Sequence, residues 1–485
     1  MKLPLPFLFA ALLPALVLAA QPSASLSSQL STLSSTTLPT PAPANSHCAN
    51  LTAAPDGTLH LTYYGPAPAS APVVEPAART LWHATLAPGA TAFSSPRPIV
   101  TTPLLMENWA DFASLAVGTD GALTAQWFQK SAPDAGGYDG WFSRSDDGGR
   151  TWRAPARLGH EFVALAPLSQ GRTLAVWLES ARVRDPNAAP RPKRDPNVKR
   201  DPNAPRPPRD PNAPYAPSMK LLARLLAPDG STLQEWTVDP DVCTCCQNTL
   251  AVLPGDRVFA AYRGHTRDEI RDSRYTVFDL KSSTWTPTAA LRDDLWKIPA
   301  CPVNGPAADT RGPAVAVAWF TAANGTPRVQ ARYSANSART FTDPLVVDLG
   351  RPMGRLETVM LADQTALIFW MEMGTAENAA GIYARRLWPD GKLSAPQLVA
   401  DSSQARSSGF PRAALRTSGR VVMTFTQPGE TNQVRLLELD PKNLTRPTAL
   451  TVIKSSSGAL NSQLSTLNSS PIPLEFCIAP ALAAH

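Results

Sequence analysis

The chain has 485 residues, 43% of them hydrophobic, and a formal charge of +6. The charge is local: residues 181–217 hold nine Lys or Arg against four Asp, so the rest of the chain contributes only +1. A proline-rich basic tract of this kind is a solvated segment, which excludes a duplex-reading surface and a nucleic-acid partner.

In chain order, Met1-Lys2, an apolar run from Leu3 to Leu18 and the small residues Ala19 and Ala20 form the charge, core and exit of a secretory signal peptide. The run is short and interrupted by Pro4, Pro6 and Pro14, so it is not read as a membrane span. No later stretch reaches membrane length. The mature protein is therefore expected in the periplasm or outside the cell. Residues 21–46 are rich in Ser, Thr, Pro and Ala and read as a flexible segment; 455–485 reads as a flexible tail. Residues 181–217 repeat Arg-Asp-Pro-Asn four times among eleven prolines and read as an extended insert.

Between 47 and 454 the chain repeats itself. Seven apolar runs end in an aromatic residue: Leu59–Tyr64, Leu123–Trp127, Thr173–Trp177, Arg257–Tyr262, Ala314–Trp319, Ala366–Trp370 and Val421–Phe425. The aromatics are 63, 50, 85, 57, 51 and 55 residues apart, and removing the 37-residue insert reduces 85 to 48. Each run is preceded by a strand and a Gly- or Asp-rich turn, and followed by a second hairpin. Two hairpins per repeat predict an all-β protein, a β-propeller of seven four-stranded blades. A β-sandwich would not repeat so evenly.

Ser145-Asp146-Asp147-Gly148-Gly149-Arg150-Thr151-Trp152 matches Ser-x-Asp-x-Gly-x-Thr-Trp at every fixed position. A decayed copy occupies Ser334, Asn336, Ala338, Thr340 and Phe341. This pattern resembles the Asp-box (BNR) repeat of the sialidase superfamily, over roughly residues 50–450. It is a structural turn: Asp147 bonds turn backbone, Gly149 permits positive φ, and Trp152 packs between sheets. It joins the outer strands and so lies opposite the ligand face.

Blade topology places the connections into each innermost strand on one rim with the turns between second and third strands. That rim is expected to collect Asn108, Trp109, Asp111, His160, Glu161, residues 243–247, Trp296, Cys301, Asn304, Asp309, Arg311, Arg355, Glu357, Phe410 and Arg412. The middle turns add Arg263, His265, Asp268, Glu269, Arg271 and Glu372. The sialidase resemblance implies three arginines on a substrate carboxylate, here Arg263, Arg311 and Arg412, with Asp111 as acid and Glu357 or Glu372 activating a tyrosine. Arg271 and Trp109 are further candidate substrate contacts. The pattern departs from sialidases in three respects. Their Arg-Ile-Pro signature is absent, no rim Tyr stands out (Tyr262 and Tyr383 read as core), and sialidases have six blades.

Six cysteines follow the signal peptide: Cys48, Cys243, Cys245, Cys246, Cys301 and Cys477. Export makes disulfides the expected fate, with no cofactor; the alternative is a thiolate site for copper or zinc, with His265. The Cys-x-Cys-Cys string and Arg263–Asp272 are also similar to strings in exported sialidase-like bacterial propellers. The resulting expectation is an exo-glycosidase or glycan-binding protein for acidic or polar glycans. A non-catalytic assembly propeller and a metal-handling propeller are the alternatives.

Overall fold

The computed structural model describes residues 32–132, 137–181 and 215–447. The signal-peptide, the tail from 448 onward, Cys477 and nearly all of the 181–217 insert lie outside them.

Seven antiparallel sheets follow one another along the chain; six run in sequence order, one of them with a short fifth strand at Ala289–Ala290, and the last takes its outer strand from the start of the described residues. The innermost strands are His47–Ala53, Ser114–Val117, Glu161–Pro167, Thr249–Leu253, Ala307–Arg311, Pro352–Met360 and Arg412–Leu415. Each touches the next around a ring, and the last touches the first, so the sheets are the blades of a closed seven-bladed β-propeller. All seven second strands fall where the repeat predicts, from Leu59–Pro66 in blade 1 to Val421–Gln427 in blade 7. Helix among the described residues is confined to three short 3-10 turns, and no helix is long and apolar enough to cross a membrane.

The second strands are apolar on both faces because a neighbouring blade covers each face. In Ala314–Thr321, Val315, Val317 and Trp319 pack toward blade 4 with Phe259 and Ala261. Ala314, Ala316, Ala318 and Phe320 pack toward blade 6 with Ile368 and Trp370. The period-2 alternation of a strand thus divides one sequence run between two interfaces. Tryptophan closes several of these strands and needs an acceptor for its buried indole N–H. Trp127 donates to Gln129 Oε1 at 2.9 Å, Trp177 to Glu179 Oε2 at 3.0 Å and Trp370 to Glu372 Oε2 at 2.6 Å.

The segment read as flexible from 21 to 46 is corrected from residue 32 onward. Ser35–Thr37 pairs with Gln433–Leu439 as the outer strand of blade 7. Leu33, 1% exposed, packs between blades 6 and 7. The first described residues therefore close the ring by completing its last sheet, a role that the polar composition conceals because only Leu33 and Leu38 anchor it.

The hairpin tip Ser145–Trp152 is tied by its own side chains. Asp147 Oδ1 accepts from Ser145 Oγ (2.8 Å) and from the Arg150 and Thr151 amides (3.0 and 2.9 Å), while Oδ2 accepts from Thr151 Oγ1 (2.7 Å). Ser334 and Asn336 repeat the arrangement with Ala338 N, Thr340 N and Thr340 Oγ1. Both tips join third and fourth strands, on the face opposite the blade-entry loops.

Candidate functional site

The blade-entry loops meet over the axis. Ala110, Val303 and Phe410, entering blades 2, 5 and 7, pack into one cluster and are 2, 6 and 7% exposed. Trp109, Phe112, Cys245 and Cys301 surround them. Gln247 adds polar ties: its Nε2 donates to Ala110 O at 2.7 Å, and its Oε1 accepts from Gly305 N at 2.9 Å. A Cβ on Gly305 would lie 2.0 Å from the Gln247 carbonyl oxygen, so only glycine allows this approach. The rim expected to form an open arginine-lined mouth is closed by an apolar plug.

Beneath the plug a polar channel of about 610 Å³ runs along the innermost strands. Asn50, Asp111, Asp309, Glu357, Thr358 and Arg412 line it, and Arg311 and Arg416 lie toward its other end, at the turns between first and second strands. Glu357 is the best-placed ionisable group. Burial lifts its carboxyl to about 7, against the opposing pull of Arg412, whose Nη1 is 2.8 Å from Oε2. Arg412 Nε also donates to Asn50 Oδ1 at 3.0 Å, and its guanidinium lies 5.3 Å from the Phe112 ring centre. Burial also raises Asp309, which accepts from the Met360 and Thr310 amides at 2.7 and 2.8 Å.

Asp111 stands at the plugged end. Burial and the charge of Glu161 hold its carboxyl well above the ordinary carboxylate range. It accepts from the Phe162 amide at 3.1 Å and from the Tyr138 hydroxyl at 3.1 Å. Tyr138 was not among the expected site residues, although it opens the third strand of blade 2 and the rim rule covers that position. Its ring stacks on His160 at 6.2 Å, beside Asp139 and Glu161.

The three-arginine clamp does not form. Arg263 spends its guanidinium on the carbonyls of Asn304, Arg271 and Phe320, at 2.7 to 3.1 Å. Arg311 ends the innermost strand of blade 5, so the strand's length (about 13 Å at ~3.3 Å per residue) carries it, exposed, to the far end of the channel. Only Arg412 faces the channel as expected. Arg355 donates to the carbonyls of Ala405 and Gly409 and lies 4.9 Å from the Trp109 ring centre, while Trp109 stacks on Phe410 at 5.9 Å. Glu372 is a structural acceptor, holding Trp370 and the Arg351 amide, rather than a channel residue. Asn304 bridges loops through Met353 O and Arg355 N.

The expected disulfides are likewise corrected. Cys48, Cys243, Cys245, Cys246 and Cys301 are all free thiols. Cys243 and Cys246 Sγ are 3.7 Å apart, well beyond the ~2.05 Å of a disulfide. Thr244 Oγ1 contacts Cys301 Sγ at 3.0 Å, and Cys48 lies in blade 1, donating to Asn108 O at 3.4 Å. Burial pushes the Cys243 thiol up. Hydrogen bonds from Cys245 and Cys246 and the charges of Arg271 and Arg263 outweigh that and hold it well below the usual thiol range. Arg271 donates to Cys243 Sγ (3.2 Å), Ile298 O (2.9 Å) and Glu269 Oε2 (2.8 Å). Glu269 contacts His265 Nε2 at 3.1 Å, and His265 Nδ1 contacts Asp241 Oδ1 at 2.7 Å, so a polar chain runs from the thiols to Asp241 and Tyr215.

Fold and site together define a seven-bladed β-propeller with a plugged rim, a polar axial channel and a buried thiol loop. No protein-family model and no curated protein matches the chain. Similar solved structures include a protein of unknown function from Dyadobacter fermentans DSM 18053 (13% identity, 85% of this chain and 99% of that one, TM-score 0.44). Another is the Penicillium chrysogenum alpha-L-arabinanase complexed with arabinobiose (13%, 86% and 100%, 0.43). A third is the phage phi92 endosialidase (11%, 89% and 72%, 0.42).

Proposed function

We propose that this is an exported glycan-acting propeller that takes an acidic or polar glycan end into its axial channel. The observation that carries this reading is the pairing of Glu357 with Arg412 inside a channel where Asn50, Asp111, Asn248, Asp309 and Thr358 set polar groups among apolar side chains. Such a wall offers the alternating donors and acceptors that sugar hydroxyls require. Entry is from the face of the first-to-second strand turns, where Arg311 and Arg416 lie, because the opposite rim is plugged. Glu357 holds a proton up to about pH 7 and is equipped to deliver it to a leaving oxygen. Arg412 orients that carboxyl and offers its remaining N–H donors to a sugar carboxylate or hydroxyl.

The test is a panel of sialylated, uronate-containing and neutral polysaccharides incubated with the full-length protein, scored for both binding and released reducing ends. The reading expects one class to be bound or cleaved, and cleavage to fall at least 100-fold in Glu357→Gln. Neither binding nor cleavage across all three classes would remove it.

A further inference from the structure

Two arginines assigned by sequence to substrate binding are buried beside the thiol loop, and no glycan function employs them there. Arg263 is 2% exposed and Arg271 is 8% exposed. Backbone carbonyls fix the Arg263 fork, and the Ile298 carbonyl, Cys243 and Glu269 fix that of Arg271, so neither turns toward the channel. What they face is a cluster of soft ligands. The Sγ atoms of Cys243, Cys245 and Cys246 all lie within 4.8 Å of one another.

We propose that Cys243, Cys245 and Cys246 form a three-thiolate centre for monovalent copper, with Arg271 and Arg263 as its fixed counter-charges.

Three observations converge on that ion. Sulfurs bound to one metal at ~2.3 Å lie about 3.8–4.0 Å apart, and the Cys243–Cys246 separation is 3.7 Å. Among the described residues only these three sulfurs lie mutually within 4.8 Å, whereas a structural zinc site needs four ligands; Cys301, which contacts Thr244 and hydrogen-bonds Cys245, stands outside that set. Soft thiolates select monovalent copper or zinc over the harder cations, and a three-sulfur set lacks the fourth ligand that zinc takes. Charge agrees in sign as well: one monovalent ion on three thiolates leaves two negative charges, which face Arg263 and Arg271, the latter shared with Glu269. The loop is held in place for this. Cys243 N donates to Arg263 O at 3.0 Å, and the Gln247 ties fix its far end to the plug. Cys245 is the partly exposed member, packed at the plug's edge, and gives the ion its route in.

The experiment titrates the full, reduced chain anaerobically with monovalent copper against a chromogenic copper(I) chelator, and X-ray absorption then reads the metal's neighbours. One equivalent held per chain, with sulfur-only coordination, is expected. Cys245→Ser should weaken retention at least 100-fold, Arg271→Gln by 10–100-fold, and Cys48→Ser not at all. Circular dichroism of each metal-free variant distinguishes lost binding from lost folding, and the wild-type titration stands on its own if a variant does not fold. Loss of all copper to the chelator would overturn the proposal. So would tighter zinc binding that Cys301→Ser abolishes, or, in the protein before reduction, a two-hydrogen mass deficit marking a disulfide within the loop.

Discussion

Glu357 and Arg412 meet at 2.8 Å although they belong to different blades, one in the innermost strand of blade 6 and the other opening that of blade 7. The pair joins adjacent blades at the wall of the channel, and its protonation state is set by competition between burial and the guanidinium. Removing Arg412 takes away the largest influence that opposes burial, leaving the Thr358 and Ala413 amides against burial and Asp309, so Arg412→Ala should move the Glu357 titration further above 7. The sign for stability follows. A carboxyl raised in the fold and ordinary when unfolded weakens the fold as pH rises through its folded value. The variant should match wild type more closely at pH 5 than at pH 9, where the loss should reach about 2 kcal/mol or more. Infrared detection of the Glu357 carboxyl and urea melts at the two pH values check this.

His60 and His83, on the second and third strands of blade 1, share a 2.9 Å hydrogen bond and stack at 5.1 Å. Burial lowers His60 to about 4, partly opposed by Asp56, and lowers His83 to about 3 with help from His60 and Arg97. Both are neutral in the fold and bind protons near pH 6.5 when unfolded. Their contribution is therefore complete above pH 6.5 and lost progressively as pH falls toward 4 and 3. Depressions of this size correspond to roughly 3 kcal/mol for His60 and roughly 5 kcal/mol for His83 as upper bounds, since the two interact. Thermal melts of wild type and His83→Gln between pH 7 and 4 should show a smaller acid loss in the variant.

Gly305 is required by the plug. Gly305→Ala forces a methyl against the Gln247 backbone and should cost on the order of 1–3 kcal/mol. Its thermal midpoint should fall while Gly312→Ala, where the added Cβ meets nothing within 4 Å, changes through backbone strain alone. An unchanged midpoint in Gly305→Ala would show that the contact is not made.

Ring closure rests on Ser35–Thr37 and Leu33. A chain beginning at residue 39 should melt lower than one beginning at residue 32 and should associate through the exposed edge of Gln433–Leu439. Calorimetry and light scattering on the two truncations test this.

The architecture was legible because each second strand must be apolar on both faces and end in a large aromatic, which leaves a seven-fold mark in the sequence. The closing strand was not, because backbone pairing of Ser35–Thr37 leaves no hydrophobic trace. The rim was legible only as a set of loops. Topology says which loops share a face, but not whether a guanidinium points to the axis, to a carbonyl or to a thiol. Arg263 and Arg271 were misassigned for that reason, and Arg311 because the length of its strand was not counted. Glu372 had a readable signal: Trp370-Met371-Glu372 repeats the spacing of Trp127-Phe128-Gln129 and Trp177-Leu178-Glu179, which marks an indole acceptor. The free thiols were hidden because a leader-like N-terminus makes pairing the expectation, and spacing alone does not tell paired from unpaired cysteines.

The central claim is that Glu357 acts as the protonated group of a glycan-filled channel, and the pH dependence of kcat/KM on the accepted glycan tests it most directly. Wild type should lose activity on the alkaline side with an apparent pKa near 7. Glu357→Gln should remove that limb together with most of the rate, and Glu372→Gln should leave both in place. An alkaline limb that survives in Glu357→Gln at the wild-type rate would contradict the account.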